Sequence, residues 1–152
     1  MSARPAHWRE RAVGTSDSEH VAAHGCYRDE DAARRPQYAA WVRPRIRTGT
    51  YVGWLALDGD VVVGGAGAVL LDWGPTRANP CGTMARIVNV FTAPEWRGRG
   101  VARSLIEAVM SACEGRGIRE FNLAATTEAR GLYSALGFDS YAAEMRRRVA
   151  IR

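Results

Sequence analysis

Lysine is absent from this chain. All 21 basic residues are arginine, set against 16 acids in 152 residues, for a formal net charge of +5. A phosphate loop of the G-K-[ST] type therefore cannot be built. The three-glycine dinucleotide fingerprint is missing as well. Cysteine is scarce: Cys26, Cys81 and Cys113 are odd in number and widely spaced. They make neither a disulfide framework nor a zinc pattern, and reduced thiols in a cytosol are expected. Histidine is confined to His7, His20 and His24. The last two share a helix face at a spacing of four, but no third ligand is near, so no metal is expected. No apolar run approaches the roughly 20 residues that span a bilayer. The start, Met1 to Arg11, is polar and carries no leader pattern. Repeats, low-complexity stretches and linkers are also lacking. With 47% hydrophobic and 24% charged residues, the chain is expected to form one domain, 1–152, around one core.

The charge is unevenly spread. Residues 1–85 hold 10 arginines and 9 acids, and residues 86–152 hold 11 arginines and 7 acids. The positive excess lies in the second half. Arg34, Arg35, Arg43, Arg45 and Arg47 form a separate cluster, read as a solvated helix face. It has no aromatic interleaving or motif of a nucleic-acid binder.

Ser16-Asp17-Ser18-Glu19 has capping-box spacing and predicts a first helix through about Tyr27. A second begins near Arg35 with Pro36 at a first helical position, and Pro44 is expected to strain or end it. Tyr51 to Leu57, the Asp58-Gly59 turn and Val61 to Leu71 predict a hairpin. The glycines Gly64, Gly65 and Gly67 are read as twist. Asp72 to Gly82 reads as a loop, and Arg86 to Thr92 as a strand ended by Pro94. From Gly98 an apolar stripe of Val101, Leu105, Ala108, Val109 and Ala112 predicts a helix, stopped by Gly115 and Gly117. Phe121 to Ala125 (strand), Glu128 to Leu136 (helix) and Ala142 to Ile151 (strand) complete the reading. Elements in this order predict a mixed α/β sandwich.

Chemistry concentrates in the run from Asn89 to Ala102, N-V-F-T-A-P-E-W-R-G-R-G-V-A. A strand leads through a short turn into a glycine-bearing loop that opens an amphipathic helix. Such a helix start exposes unpaired N–H groups and the positive end of the dipole. Gly98 and Gly100 allow close approach of a ligand to the backbone, and Arg97 and Arg99 add charge. Together they suit a polyanion such as a pyrophosphate.

Arg97-x-x-Gly100-x-Ala102 resembles the R/Q-x-x-G-x-G/A signature of the GNAT superfamily of N-acetyltransferases. Leu132-Tyr133-Ser134-Ala135-Leu136-Gly137-Phe138 resembles that family's L-Y-x-x-L-G-F segment. The resemblance covers about Tyr51 to Val149; the first 50 residues fit loosely, as variable helices over the acceptor site. It implies an α/β (α+β) fold with a mixed, mostly antiparallel central sheet flanked by helices. It implies acetyl-CoA as co-substrate and no metal. Its pyrophosphate is expected on the backbone of Arg97, Gly98, Arg99, Gly100, Val101 and Ala102. Its pantetheine arm is expected beside Val90, Phe91 and Thr92, with a strand amide polarising the acetyl carbonyl. Tyr133 corresponds to the general acid that protonates the departing thiolate. Thr126 stands where many members place an Asn on pantetheine.

The chain departs from the pattern in one respect. Many members place a Glu in the strand before the loop as general base, and no acid occurs between Met84 and Thr92. Asn89 can orient a water but cannot take a proton. The base is then Asp72, an acid among Asp29 to Asp31, an N-terminal histidine, or solvent. Trp41, Tyr51, Trp54 and Trp73 are candidates for an acceptor pocket or for the core. The expected reaction is direct transfer to a primary amine of a small molecule or peptide, in the cytoplasm. No nucleic acid or membrane partner is expected, and a homodimer is left open. A non-catalytic CoA-binding sensor module is the rival reading.

Overall fold

The computed structural model describes residues 7–151. Nine principal elements follow in order: β1 (Arg9–Ala12), α1 (Ser18–Gly25), α2 (Arg35–Thr48), β2 (Tyr51–Asp58), β3 (Val61–Asp72), β4 (Thr83–Thr92), α3 (Val101–Glu114), β5 (Glu120–Asn122) and α4 (Arg130–Ala135). The strands form one sheet in the order β1-β2-β3-β4-β5. All neighbours are antiparallel except β4 and β5, which run parallel.

The alternation of side chains along each strand sends two residue sets to opposite faces. On one face Ala56, Ala68, Ala85 and Ile87 pack with Val101, Leu105, Ile106, Val109 and Cys113 of α3. On the other, Tyr51 packs with Val21 of α1 and Val42 of α2, beside Val69 and Val88. The α3 stripe is turned slightly from the one expected: Ile106 and Cys113 are fully buried, and Ala108 and Ala112 are at its margin.

Several local expectations change. The first helical turn is not opened by Ser16 and Glu19. Instead the Asp17 carboxylate accepts from the Gly14 N–H at 2.8 Å and from Arg11 in a bidentate pair at 2.7 and 2.8 Å. Pro44 does not end α2, which runs on to Thr48. Proline lacks the N–H that would bond the carbonyl four residues back, here Ala40, and the helix continues past that missing bond. Here the Arg45 guanidinium donates to the Trp41 carbonyl at 2.6 Å and lies over the Trp41 ring. Gly49, at φ 78°, closes the helix, with Thr50 N–H bonded to Arg45 O at 3.0 Å.

The sequence does not announce β1, because R-E-R-A carries no apolar alternation; its pairing with β2 makes it a strand. Conversely, Ala142 to Ile151 forms no strand. Met145, Val149 and Ile151 are exposed, and β5 pairs only with β4. A strand-like sequence without a ladder partner stays irregular. The glycines of β3 serve packing rather than twist alone. A Cβ on Gly65 would collide with the His24 ring, and one on Gly67 with the Tyr51 hydroxyl.

Candidate active site

β4 and β5 share only the ladder from Met84 to Arg86 against Glu120 to Asn122. There the ladder stops, and among the described residues no strand covers that edge of β4. The wedge between them is a cleft of about 660 Å³. Ile87 to Thr92 form one wall. Ala124, Thr126, Ala129, Leu132 and Tyr133 form the other, and the start of α3 closes one end.

That closed end presents backbone N–H groups in a geometry able to receive an anion. Gly98 and Gly100 both have φ in the left-handed region, at 73° and 88°. Gly100 is the N-cap of the 14-residue α3, and Ser104 N–H is already bonded back to Gly100 O at 3.1 Å. The N–H groups of Val101, Ala102 and Arg103 precede it and have no acceptor within the helix. Successive N–H groups around left-handed residues make a concave anion nest. The Arg97 Nε donates to the Thr92 carbonyl at 3.1 Å, tying the loop to the strand end. Glu10 of β1 accepts from Ser104 at 2.5 Å and from the Trp8 indole at 2.8 Å, which braces α3 against the sheet.

Midway along the cleft β4 is bulged. Gly65 pairs with Phe91 and Gly67 with Val88, so Asn89 and Val90 have no partner in the register. Asn89 sits at φ 57°. Its side chain does not face a reacting group: Nδ2 donates to the Tyr38 and Tyr51 hydroxyls at 2.9 and 3.0 Å. Phe91 stacks on His24 at 4.8 Å and tilts toward Tyr27 at 6.0 Å.

Tyr133 lines the opposite wall. Its side chain is buried, edge-on to Phe138 at 5.9 Å, and burial raises its pKa above the ordinary tyrosine value. It is thus a neutral phenol, able to donate a proton, across the physiological range. Thr126 Oγ1 accepts from Ala129 N–H at 3.3 Å and so helps to start α4; its O–H remains free to donate.

The cleft gathers nearly every residue expected from sequence. Val90, Phe91, Thr92, Arg97, Gly98, Gly100, Val101, Ala102, Thr126 and Tyr133 all line it. Arg99 does not: its guanidinium lies over the Trp96 ring at 4.8 Å. Of the candidate bases, Asp72 stands at the far end of β3, and Asp29, Glu30, Asp31, His20 and His24 are absent from the lining. Burial, with His20 nearby, lowers the His24 pKa to about 4, so it is neutral at pH 7. Glu128, on the Thr126 side, is the carboxylate among the described lining residues. Of the aromatic candidates, Tyr51 is core, Trp54 packs on the core, and Trp41 and Trp73 are exposed. Tyr27, which sequence reasoning missed, lines the cleft instead.

Cys113 of α3 is buried in the core, and burial raises its pKa, which disfavours the thiolate a nucleophile needs. Among the described residues no group of three or more His, Cys, Asp or Glu is placed to hold a metal, and no helix is long and apolar enough to cross a membrane.

The site is thus a wedge between two parallel strands, with a free helix start at one end and a buried tyrosine across it. The model of the acetyltransferase (GNAT) family matches residues 19–138. The chain belongs to this family, and it is an enzyme of the acyltransferase class. Solved structures agree in fold. A predicted acetyltransferase from Clostridium acetobutylicum, solved with acetyl-CoA, superposes with a TM-score of 0.85 at 19% identity, covering 93% of this chain and 96% of that one. A GCN5-related N-acetyltransferase from Ralstonia eutropha JMP134 gives 0.84 at 27% identity, with 94% and 99% covered. Glucosamine-6-phosphate N-acetyltransferase from Arabidopsis thaliana gives 0.73 at 14% identity, with 95% and 99% covered. Comparison with curated protein sequences finds no match.

Proposed function

We propose that this enzyme transfers an acetyl group from acetyl-CoA to a primary amine of a small molecule or peptide, by direct attack. The observation that carries the reading is the cleft itself. A backbone anion nest, an uncovered strand edge and a buried phenol line one wedge in that order.

The residues fit the co-substrate. The amides from Gly98 to Ala102 receive the pyrophosphate, with charge from Arg97. The uncovered edge at Val90 to Thr92 offers N–H and C=O groups to the amides of the pantetheine arm, as an added strand would. The bulge frees a strand amide to donate to the thioester carbonyl, where negative charge develops as the amine attacks. Tyr133 delivers its proton to the departing thiolate. Thr126 supplies one hydroxyl where an amide side chain would supply two groups, a weaker hold on the arm.

Deprotonation of the amine falls to solvent. The acceptor-side lining from Tyr27 to Phe91 holds no carboxylate, and Asn89 is committed to two tyrosines. The value of kcat/KM should therefore rise with pH along the acceptor's own pKa. Two amines of different pKa should give correspondingly displaced profiles. A shared inflection near pH 6–7 for both would point to an enzyme base instead.

The test of the reaction is thiol release from acetyl-CoA across a broad amine panel. Turnover on at least one amine, cut by about 100-fold or more in Tyr133→Phe, is expected of a general acid. Tight CoA binding with no release on any amine would point to the non-catalytic sensor module.

A further inference from the structure

The β4 bulge is held from outside the strand. Among the described residues Asn89 is the only non-glycine with φ in the left-handed region. Asparagine tolerates that conformation better than most residues, but the strand does not dictate it. Its carboxamide reaches Tyr38 of α2 and Tyr51 of β2. Its Oδ1 lies over Gly25 at the end of α1, where a Cβ would collide with it. Gly67 of β3 leaves the same kind of room for the Tyr51 hydroxyl. Thus α1, α2, β2 and β3 are all shaped around one side chain of β4. Burial raises the pKa of both tyrosines, so both stay protonated beside the carboxamide at neutral pH.

We infer that Tyr38, Asn89 and Tyr51 form a positioning cluster that fixes the β4 bulge and thereby directs the amide of Val90 at the acyl carbonyl of the bound thioester. Asn89 touches no reacting atom in this role and acts through the backbone that follows it. The inference rests on the reading of the cleft as the acetyl-CoA site. It also gives the N-terminal helices a second role, as anchors of the strand that holds the acyl group.

The experiment is calorimetric titration of CoA and of acetyl-CoA into wild type, Asn89→Ala and Asn89→Gly. Wild type should prefer acetyl-CoA over CoA by about three- to tenfold, the worth of one hydrogen bond. Both variants should bring that ratio close to one while CoA affinity stays within about twofold, because the anion nest is untouched. Glycine accepts the left-handed φ, so Asn89→Gly keeps the test open should the alanine variant fold poorly. With an acceptor in hand, kcat/KM for acetyl-CoA should fall in both by more than the three- to tenfold loss of acetyl-CoA affinity, because the same amide also meets the charge that develops on the carbonyl, an effect that mere loss of stability does not produce. A wild-type ratio of one, or a wild-type ratio kept by both variants, would overturn the inference and leave the cofactor reading standing. A wild type that binds neither ligand would overturn both.

Discussion

His24 is a histidine without a histidine's usual freedom. It lies buried under Phe91, and Gly65 is bare so that its ring can fit. Its pKa is depressed to about 4 in the fold against about 6.5 in the unfolded chain. Between those values the unfolded state binds more protons, so stability is fully present above pH 6.5 and is lost as pH falls toward 4. The loss is of the order of 3 kcal/mol at most. Thermal midpoints of wild type should fall across that window, and those of His24→Phe should fall much less. Asp17 acts lower on the scale. Its pKa is depressed chiefly by the hydrogen bonds from Arg11, so its contribution is lost only as pH falls below the ordinary carboxylate range. A titration of Tm in which His24→Phe tracks wild type from pH 6.5 to 4 would show that His24 is not held neutral.

At this scale the site was legible in part. Gly98 and Gly100 stand in a local pattern whose geometry follows from their neighbours in sequence, Tyr133 was indicated by the family resemblance, and all three line the cleft. Asn89 was not legible. Its partners lie 51 and 38 residues away, and nothing in N-V-F-T announces a left-handed residue. Arg99 differs from the lining residues in where its side chain lies. Charge beside a phosphate loop suggested contact, but an aromatic neighbour at Trp96 takes the guanidinium.

Among elements, α3 carries both fold and function. Its buried face anchors the sheet, and its first turn brings unpaired backbone N–H groups to the end of the cleft. Leu105 is fully buried, so Leu105→Ala should cost about 2–5 kcal/mol, read by urea denaturation. Gly100→Ala tests the other end. No atom lies within 4 Å of the added Cβ, so the cost is the positive φ alone. It should be about 1–2 kcal/mol, accompanied by weaker CoA binding; unchanged stability and affinity would show that the left-handed cap serves neither. Legibility among the elements followed the source of each one's stability. The β2–β3 hairpin and α3 follow from periodicity and turn residues close in sequence. β1 exists only because β2 offers it an edge, and Ala142 to Ile151 has the pattern of a strand but pairs with none, although the outer edge of β5 is open. Pro44 reads as a stop because a propensity rule counts the lost N–H and the ring clash, whereas packing of Val42 and Ile46 on either side of it holds the helix.

For the whole molecule, the positive excess in the second half acquires a location. Arg97 and Arg103 line the cleft beside the α3 nest, where a pyrophosphate would sit. Binding there stabilises only the folded chain. Acetyl-CoA at 100 times its Kd should add about 2.7 kcal/mol. For a chain of this size that is a rise in Tm of roughly 5–11 °C. A nucleic acid of similar charge density should give no such shift at physiological salt.

In the proposed reaction the acetyl group passes straight from CoA to the amine within the β4–β5 wedge, with no residue of the enzyme carrying it. Initial rates with acetyl-CoA and an accepted amine varied together test this most directly. Direct transfer predicts intersecting double-reciprocal lines, the pattern of a ternary complex. Parallel lines, the pattern of an acyl-enzyme, would contradict it.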